Sequence, residues 1–235
     1  LYFVGYSSMY NGLQVKLNRR FYNGLTITTA YTFSKGMSFQ TGDDGGIWNY
    51  IDARRSYARP DFDRKQTFVQ SYVYDLPFGV GRKWMHHGVA AKAFGGWQVN
   101  GILTVRGGTP FTPVLGTSTA NTGAARPNRI GKGNLPSDQR SIFNWFDKTA
   151  FVAPTPFNFG NAGRNILFGP GGTNLDASLF KSFRLPFIGE AGQVQLRAET
   201  FNVLNHPQFS HPNARVDIAQ GATITGLATE MRQIQ

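Results

Sequence analysis

The sequence predicts an all-β chain, an antiparallel transmembrane β-barrel segment of about seven strands with long extracellular loops. Three observations point there: period-2 alternation of apolar and polar residues, a composition suited to strands and turns, and connections sorted by length. Of the 235 residues, 40% are hydrophobic and only 16% charged, and glycine (28), phenylalanine (20) and tyrosine (9) are abundant. Aromatic rings fit a pleated surface and glycine permits positive φ, so the mixture favours strands joined by turns and suits helices poorly. No apolar run reaches the roughly 18 residues a transmembrane helix requires, but barrel strands need none because they alternate.

The clearest element is a hairpin. In Leu13–Arg20, Leu13, Val15 and Leu17 share one face, and Gln14, Lys16, Asn18 and Arg20 the other. Tyr22-Asn23-Gly24 then supplies a tight turn, since Asn and Gly accept positive φ. Leu25–Ser34 resumes the pattern, with Leu25, Ile27, Thr29, Tyr31 and Phe33 opposed to threonines, Ala30 and Ser34. Gln66–Leu76 is aromatic-rich and mixed. Trp97–Arg106 sets Trp97, Val99, Leu103 and Val105 against Gln98, Asn100, Thr104 and Arg106, with Ile102 out of pattern. Asn174–Leu185 and Gln193–Leu204 alternate likewise, and Arg232–Gln235 reads as the opening of one more strand.

The connections run short (around Asn23), long (Lys35–Lys65), moderate (Pro77–Gly96), very long (Gly107–Thr173), short (Pro186–Gly192) and long (Asn205–Met231). Outer-membrane barrels sort loops in this way, with short periplasmic turns and longer extracellular excursions. Structureless loops beyond about 12–15 residues are otherwise uncommon. On this reading Leu25, Trp97 and Gln193 start outward strands, while Asn174 and Arg232 start inward ones. Phe21, Tyr22, Trp97, Phe183 and Phe187 then sit at the periplasmic rim, and Tyr31 and Phe33 near the outer one. Periodicity alone leaves a soluble sandwich open, because its strands also alternate with the apolar side turned inward.

The formal charge is +11, from 24 basic and 13 acidic residues. Nucleic-acid binding is disfavoured, because the cations are scattered singly and no basic helix gathers them. An anionic membrane surface or an anionic solute suits the scatter better. Cysteine is absent, which removes disulfides and thiolate metal sites.

A set of segments resembles the C-terminal barrel region of Oar-like TonB-dependent receptors, those carrying a carboxypeptidase-regulatory-like domain. They are YNGLQVKLNRRF at Tyr10–Phe21, AYTFSK at Ala30–Lys35, YDLPFG at Tyr74–Gly79, GGWQVNGI at Gly95–Ile102, GTPF at Gly108–Phe111, RAETFNVLNHPQF at Arg197–Phe209 and RQIQ at Arg232–Gln235. They keep the family's order and span nearly the whole chain. The resemblance implies a barrel of about 22 strands with a plug, a TonB box and a soluble N-terminal domain, of which this chain supplies wall and loops. It also implies energy-coupled solute passage, with outer-membrane lipid, lipopolysaccharide, the TonB system and an extracellular substrate as partners. Leu1 opens inside patterned sequence, and Gln235 falls inside a strand that in this family ends on an aromatic residue. The chain is therefore expected to be a fragment without plug or N-terminal domain.

Candidate sites follow from residue chemistry. Trp48, Tyr50, Arg54, Arg55, Tyr57 and Arg59 mix aromatics with cations in the first long loop, as surfaces for anionic or carbohydrate-like ligands do. The competing reading makes them loop anchors at the lipopolysaccharide boundary or in the lumen. Arg20, Arg106, Arg184, Arg197 and Glu199 fall on polar faces and would line the lumen as a charge ladder. Thr41–Gly46 is faintly like a calcium loop but lacks EF-hand spacing. His206 and His211, separated by prolines, and the adjacent His86 and His87, which would diverge in a strand, are poor metal ligands.

No enzyme is expected. G-x-S-x-G, cysteine nucleophile and Walker signatures are missing, and the glycine-rich Gly160–Arg164 and Gly169–Gly172 open no helix for a phosphate. Glu190, Glu199 and Glu230 stand apart in sequence. No cofactor is implied. The alternatives kept beside a TonB-dependent transporter are a soluble secreted glycan-binding module and a passive porin or adhesin barrel.

Overall fold

A computed structural model describes residues 6–21, 23–40, 52–118, 120, 125–184 and 192–235. Four long strands come first: β1 (Met9–Arg20), β2 (Leu25–Met37), β3 (Gln66–Asp75) and β4 (Trp97–Arg106). Four two-residue strands follow, β5 (Pro110–Phe111), β6 (Asn128–Arg129), β7 (Phe151–Val152) and β8 (Leu167–Phe168). The chain then returns to the main sheet with β9 (Gly172–Arg184), β10 (Gln193–Phe201) and β11 (Gln233–Ile234). The main sheet has seven strands in the order β1-β2-β3-β4-β9-β10-β11, all antiparallel, with β5–β8 and β6–β7 as separate ladders. Each long strand pairs with the next long strand along the chain, the up-and-down order of a barrel wall.

Register makes the two faces continuous across strands. Val15 pairs with Tyr31, Tyr31 with Phe68, Phe68 with Val105, and Leu103 with Leu175. Val99 pairs with Leu179, and Leu179 with Ala198. Side chains alternate with period 2, so these pairs place the apolar residues of six strands on one face. The opposite face carries Gln14, Lys16, Thr32, Ser71, Asn100, Thr104, Ser178 and Gln195 in matching register. Leu13 and Leu17 are 61% and 60% exposed. A soluble sandwich would bury those leucines against a second sheet; among the described residues they stay open.

β1 and β2 pair as the hairpin the sequence predicts, while Tyr22 of its turn lies outside the described residues. Phe21 N donates to Leu25 O at 2.7 Å, and Gly24 takes φ +80°. A side chain there would be strained in that backbone conformation and would also crowd Asp75.

Several boundaries differ from expectation. β10 ends at Phe201, short of Leu204, because Asn202 and Asn205 adopt φ +51° and +48°. Asn202 N is taken by Asp176 Oδ1, and Asn202 Oδ1 accepts from His206 N, so this asparagine builds a turn where alternation suggested more strand. β11 covers two residues, although Gln235 also exchanges both backbone bonds with Glu199.

The connection Pro77–Gly96 holds a short helix, α1 (Gly88–Phe94), which the sequence pattern did not reveal. His86 and His87 precede it outside any strand, with their rings edge to face at 4.5 Å, so the expected divergence does not occur. Among the described residues no helix is long and apolar enough to cross a membrane.

The largest departure is the very long connection. Expected as structureless, it folds with Asn205–Met231 into a layer at one end of the sheet. Its buried residues Phe111, Phe146, Ala150, Phe151, Ala162, Leu167 and Ala222 form a hydrophobic core, flanked by Trp145, Ile166, Ala214 and Val216. Trp145 Nε1 donates to Phe168 O at 2.8 Å, which satisfies the indole inside that core.

Candidate functional site

The polar face of the sheet and the loop layer meet at one end, and the functional chemistry gathers there. At the end of β2 the polar-face residues Ser34 and Gly36 are buried, whereas Phe33 and Lys35 on the apolar face are exposed. The cover is segment 60–65: Ser34 Oγ donates to Arg64 O at 3.1 Å, and Gly36 N donates to Asp63 Oδ1 at 2.7 Å. The first long loop therefore folds inward over the polar face, and at this end of β2 Phe33 and Lys35 of the apolar face stay exposed.

That decides where most of the aromatic–cation candidates lie. Trp48 and Tyr50, like Thr41–Gly46, lie outside the described residues. Tyr57 packs on Phe39 with ring centroids 4.9 Å apart. Arg59 is bound to the buried Asp63 and stands 5.7 Å from the Phe168 ring. Arg55 pairs with Asp52 at 2.9 Å, at the surface, where such a pair contributes little. Arg54 is exposed, and its guanidinium makes no hydrogen bond among the described residues. Tyr57 and Arg59 thus serve packing, while Arg54 is open to solvent.

The residues that hold the layer together include the glycine-rich stretch Gly160–Arg164, which by sequence is weighed only as a phosphate loop. Arg164 Nε donates to Ser56 O at 3.1 Å, and Nη2 donates to Ser38 O at 2.6 Å and Ala58 O at 3.3 Å. One side chain from the long connection thereby satisfies three carbonyls of the first loop and the end of β2. Arg126 Nη1 donates to Arg55 O at 3.0 Å, and burial followed by the Arg164 charge pushes its pKa down to about 10. Asn165, at φ +55°, donates through Nδ2 to Arg59 O and Asp61 Oδ1. The stretch Gly160–Arg164 is thus a structural latch. A Cβ on Gly160 would fall 2.0 Å from Arg126 O, so glycine allows the two backbones to touch.

Arg20, Arg106, Arg197 and Glu199 share the polar face by register, and Arg184 stands at the same parity opposite Gln193. Arg20, Arg106, Arg197 and Glu199 do not form ion pairs with one another among the described residues. Arg197 bonds Gln195 at 2.7 Å and lies 5.0 Å over the Phe180 ring, which explains how an aromatic residue sits on this face. At the far end of the sheet Lys181 breaks the apolar face in the same manner. Its buried ammonium donates to Lys92 O and Ala93 O at the end of α1 and stands 4.9 Å from Trp97 and 5.0 Å from Phe183. Trp97 and Phe183 stand near one end of β4 and β9, away from the loop layer; Tyr22 and Phe187 lie outside the described residues.

A cleft of about 240 Å³ opens between the ends of β4 and β9 and the loop layer. Arg64, Arg106, Thr109, Gln208, Ser210 and His211 are among its lining residues. Of the ligand-binding and lumen-lining candidates among the described residues, Arg106 alone lines it, together with His211, which by sequence is weighed as a metal ligand. The histidine pair separates in role: His211 bonds Thr109 Oγ1 through Nε2 at 2.6 Å and packs edge-on against Phe111, while His206 joins the Asn202 turn.

Burial, then the Arg64 charge, holds the His211 imidazole below its ordinary 6.5, against an opposing pull from Asp61. The neutral ring is therefore favoured in the folded layer. Its contribution is complete above about pH 6.5 and is lost as pH falls through the lowered folded value. Hydrogen exchange of 205–231, corrected for intrinsic rates, should quicken from about pH 7.5 to 5. The change should vanish in His211→Asn; an equal response in that variant would remove His211 as its source.

A family model described as an outer membrane beta barrel domain matches residues 2–235. No curated protein and no solved structure matches the chain.

Proposed function

This chain belongs to the outer membrane beta barrel domain family and resides in the bacterial outer membrane, and on that premise we propose that it serves as wall and outer loop layer of a TonB-dependent receptor. The apolar face meets lipid and the polar face borders an enclosed interior, with the loop layer on the extracellular side, where such barrels carry their long loops. The observation that carries the reading is the inward fold of the loop layer over the polar face, which buries Ser34 and Gly36 and leaves a cationic cleft beside Arg106. A receptor that captures a solute before an energised step needs such a structured, solute-facing mouth. The resemblance of seven ordered segments to Oar-like receptors supports the same assignment.

The competing reading is a passive porin. In planar bilayers bathed in potassium chloride, the full-length protein should show no steady conductance, because a plug closes the lumen. In cells, cross-linking should join it to the inner-membrane TonB protein. Steady ohmic channels without a TonB adduct would replace the transporter with the porin.

A further inference from the structure

The cleft at the ends of β4 and β9 has the makeup of a ligand site. Two guanidiniums, Arg64 and Arg106, line it, and no carboxylate does. Arg64 donates to Gly107 O at 2.6 Å. Burial and then the Arg106 charge lower its pKa, which places the two cations within each other's field. Arg106 forms no hydrogen bond or ion pair among the described residues. Like charges brought together without a counter-ion cost free energy that an anion would recover.

A second observation is independent of charge. Gln208 is only 7% exposed, yet its side-chain amide has no hydrogen-bond partner among the described residues while it lines the cleft. The side chain is largely buried while its unpaired amide opens to the cleft, which marks a place where a polar guest fits. The wall around it is rigid backbone. Gly169 N donates to Thr109 O at 2.9 Å, and a Cβ on Gly172 would lie 2.5 Å from Gln208 Oε1, so glycine is what admits the amide. The Thr109–His211 hydrogen bond leaves the threonine hydroxyl free to donate whenever Nε2 carries the imidazole proton.

We propose that this cleft binds an oxyanion, a carboxylate or phosphate group of a small soluble solute, gripped by Arg64 and Arg106 with Gln208 and Thr109 as neutral donors. The inference rests on the polar face being the barrel interior, because Arg106 and Gly172 are register partners on that face. Guanidinium pairs suit oxyanions through paired charge-assisted N–H donors. Lipopolysaccharide phosphates offer the same chemistry but approach from the opposite, apolar side of the sheet.

The test is isothermal titration calorimetry on the full-length protein in detergent, with inorganic phosphate and citrate as soluble probes and lipopolysaccharide as the lipid probe. Citrate or phosphate should bind saturably. Arg106→Gln should weaken binding about tenfold or more, as loss of a charged hydrogen-bonding group does, and Gln208→Leu should weaken it less. Lys132→Gln, which removes an exposed cation of the same layer outside the cleft, should leave affinity within about twofold, as expected of a screened, distant charge. Heat-modifiable migration in each variant reports an intact barrel. No saturable heat, equal binding in wild type and Arg106→Gln, or binding of lipopolysaccharide alone would overturn the assignment. A protein that cross-links to TonB but ignores both soluble anions loses the ligand and keeps the transporter reading. One that binds citrate through Arg106 yet conducts as an open pore loses the coupling and keeps the site.

Discussion

Phe146→Ala should unfold the loop layer while the barrel wall persists. Phe146 is 1% exposed, and its ring lies 5.6 Å from that of Phe111 and 6.3 Å from that of Phe151. Replacing a buried phenylalanine by alanine ordinarily costs about 3–5 kcal/mol through lost transfer energy and the cavity left behind. Among the described residues the layer's core is a small cluster that holds Phe146 together with Leu167, itself 0% exposed. Limited proteolysis of the full-length protein should then cut within 107–171 and 205–231, and amide protection there should fall. The main sheet is held by its own ladders, so heat-modifiable migration should stay that of the wild type. Unchanged protease resistance in the layer would mean that the core does not hold it.

The second large effect concerns the face the sheet presents to lipid. Leu103 lies in the middle of the apolar band, between Gln70 and Leu175, while its neighbour Thr104 lies on the polar face between Val69 and Asn174. Leu103→Arg should destabilise the folded protein in lipid vesicles by about 2–4 kcal/mol, the cost of a guanidinium at the bilayer midplane of such barrels. Thr104→Arg, one residue away, should cost far less because its side chain reaches the aqueous interior. Urea-dependent folding into vesicles measures both. Equal penalties, or the reverse order, would turn the sheet around and place the polar face toward lipid.

These two experiments address different forces in one chain. The apolar band is stabilised by lipid, whereas the loop layer is stabilised by burial of its own side chains away from water. The structure separates them in space: the residues of the buried core lie in the layer, and the exposed leucines Leu13 and Leu17 lie on the sheet. The cleft lies at the junction, where polar-face groups such as Arg106 meet loop groups such as Arg64 and Gln208.

The wall was legible in the sequence because a strand writes its environment with period 2. Val15, Tyr31, Leu103 and Leu179 fall on one face whatever the neighbouring strand does, and short and long connections alternate along the chain. Strand ends were less legible where side chains compete for the backbone: Asn202 sits in an apolar, strand-like run, and only its bonds to Asp176 and His206 show why the ladder stops. α1 was hidden because seven residues leave too little periodicity to register.

The cleft was beyond sequence for a stronger reason. Arg64, Arg106 and Gln208 come from three separate connections or strand ends, and local pattern carries no information about which distant segments touch. The latch at Arg164 is of the same kind, reaching Ser38 across 126 positions. By itself the sequence determined the long strands and which of their residues share a face, because alternation depends on each strand's own residues. The tertiary structure alone decided that the long connections fold inward and share a core. That outcome depends on buried backbone carbonyls finding donors, such as the Arg164 guanidinium, that are remote in the chain and near only once it has folded.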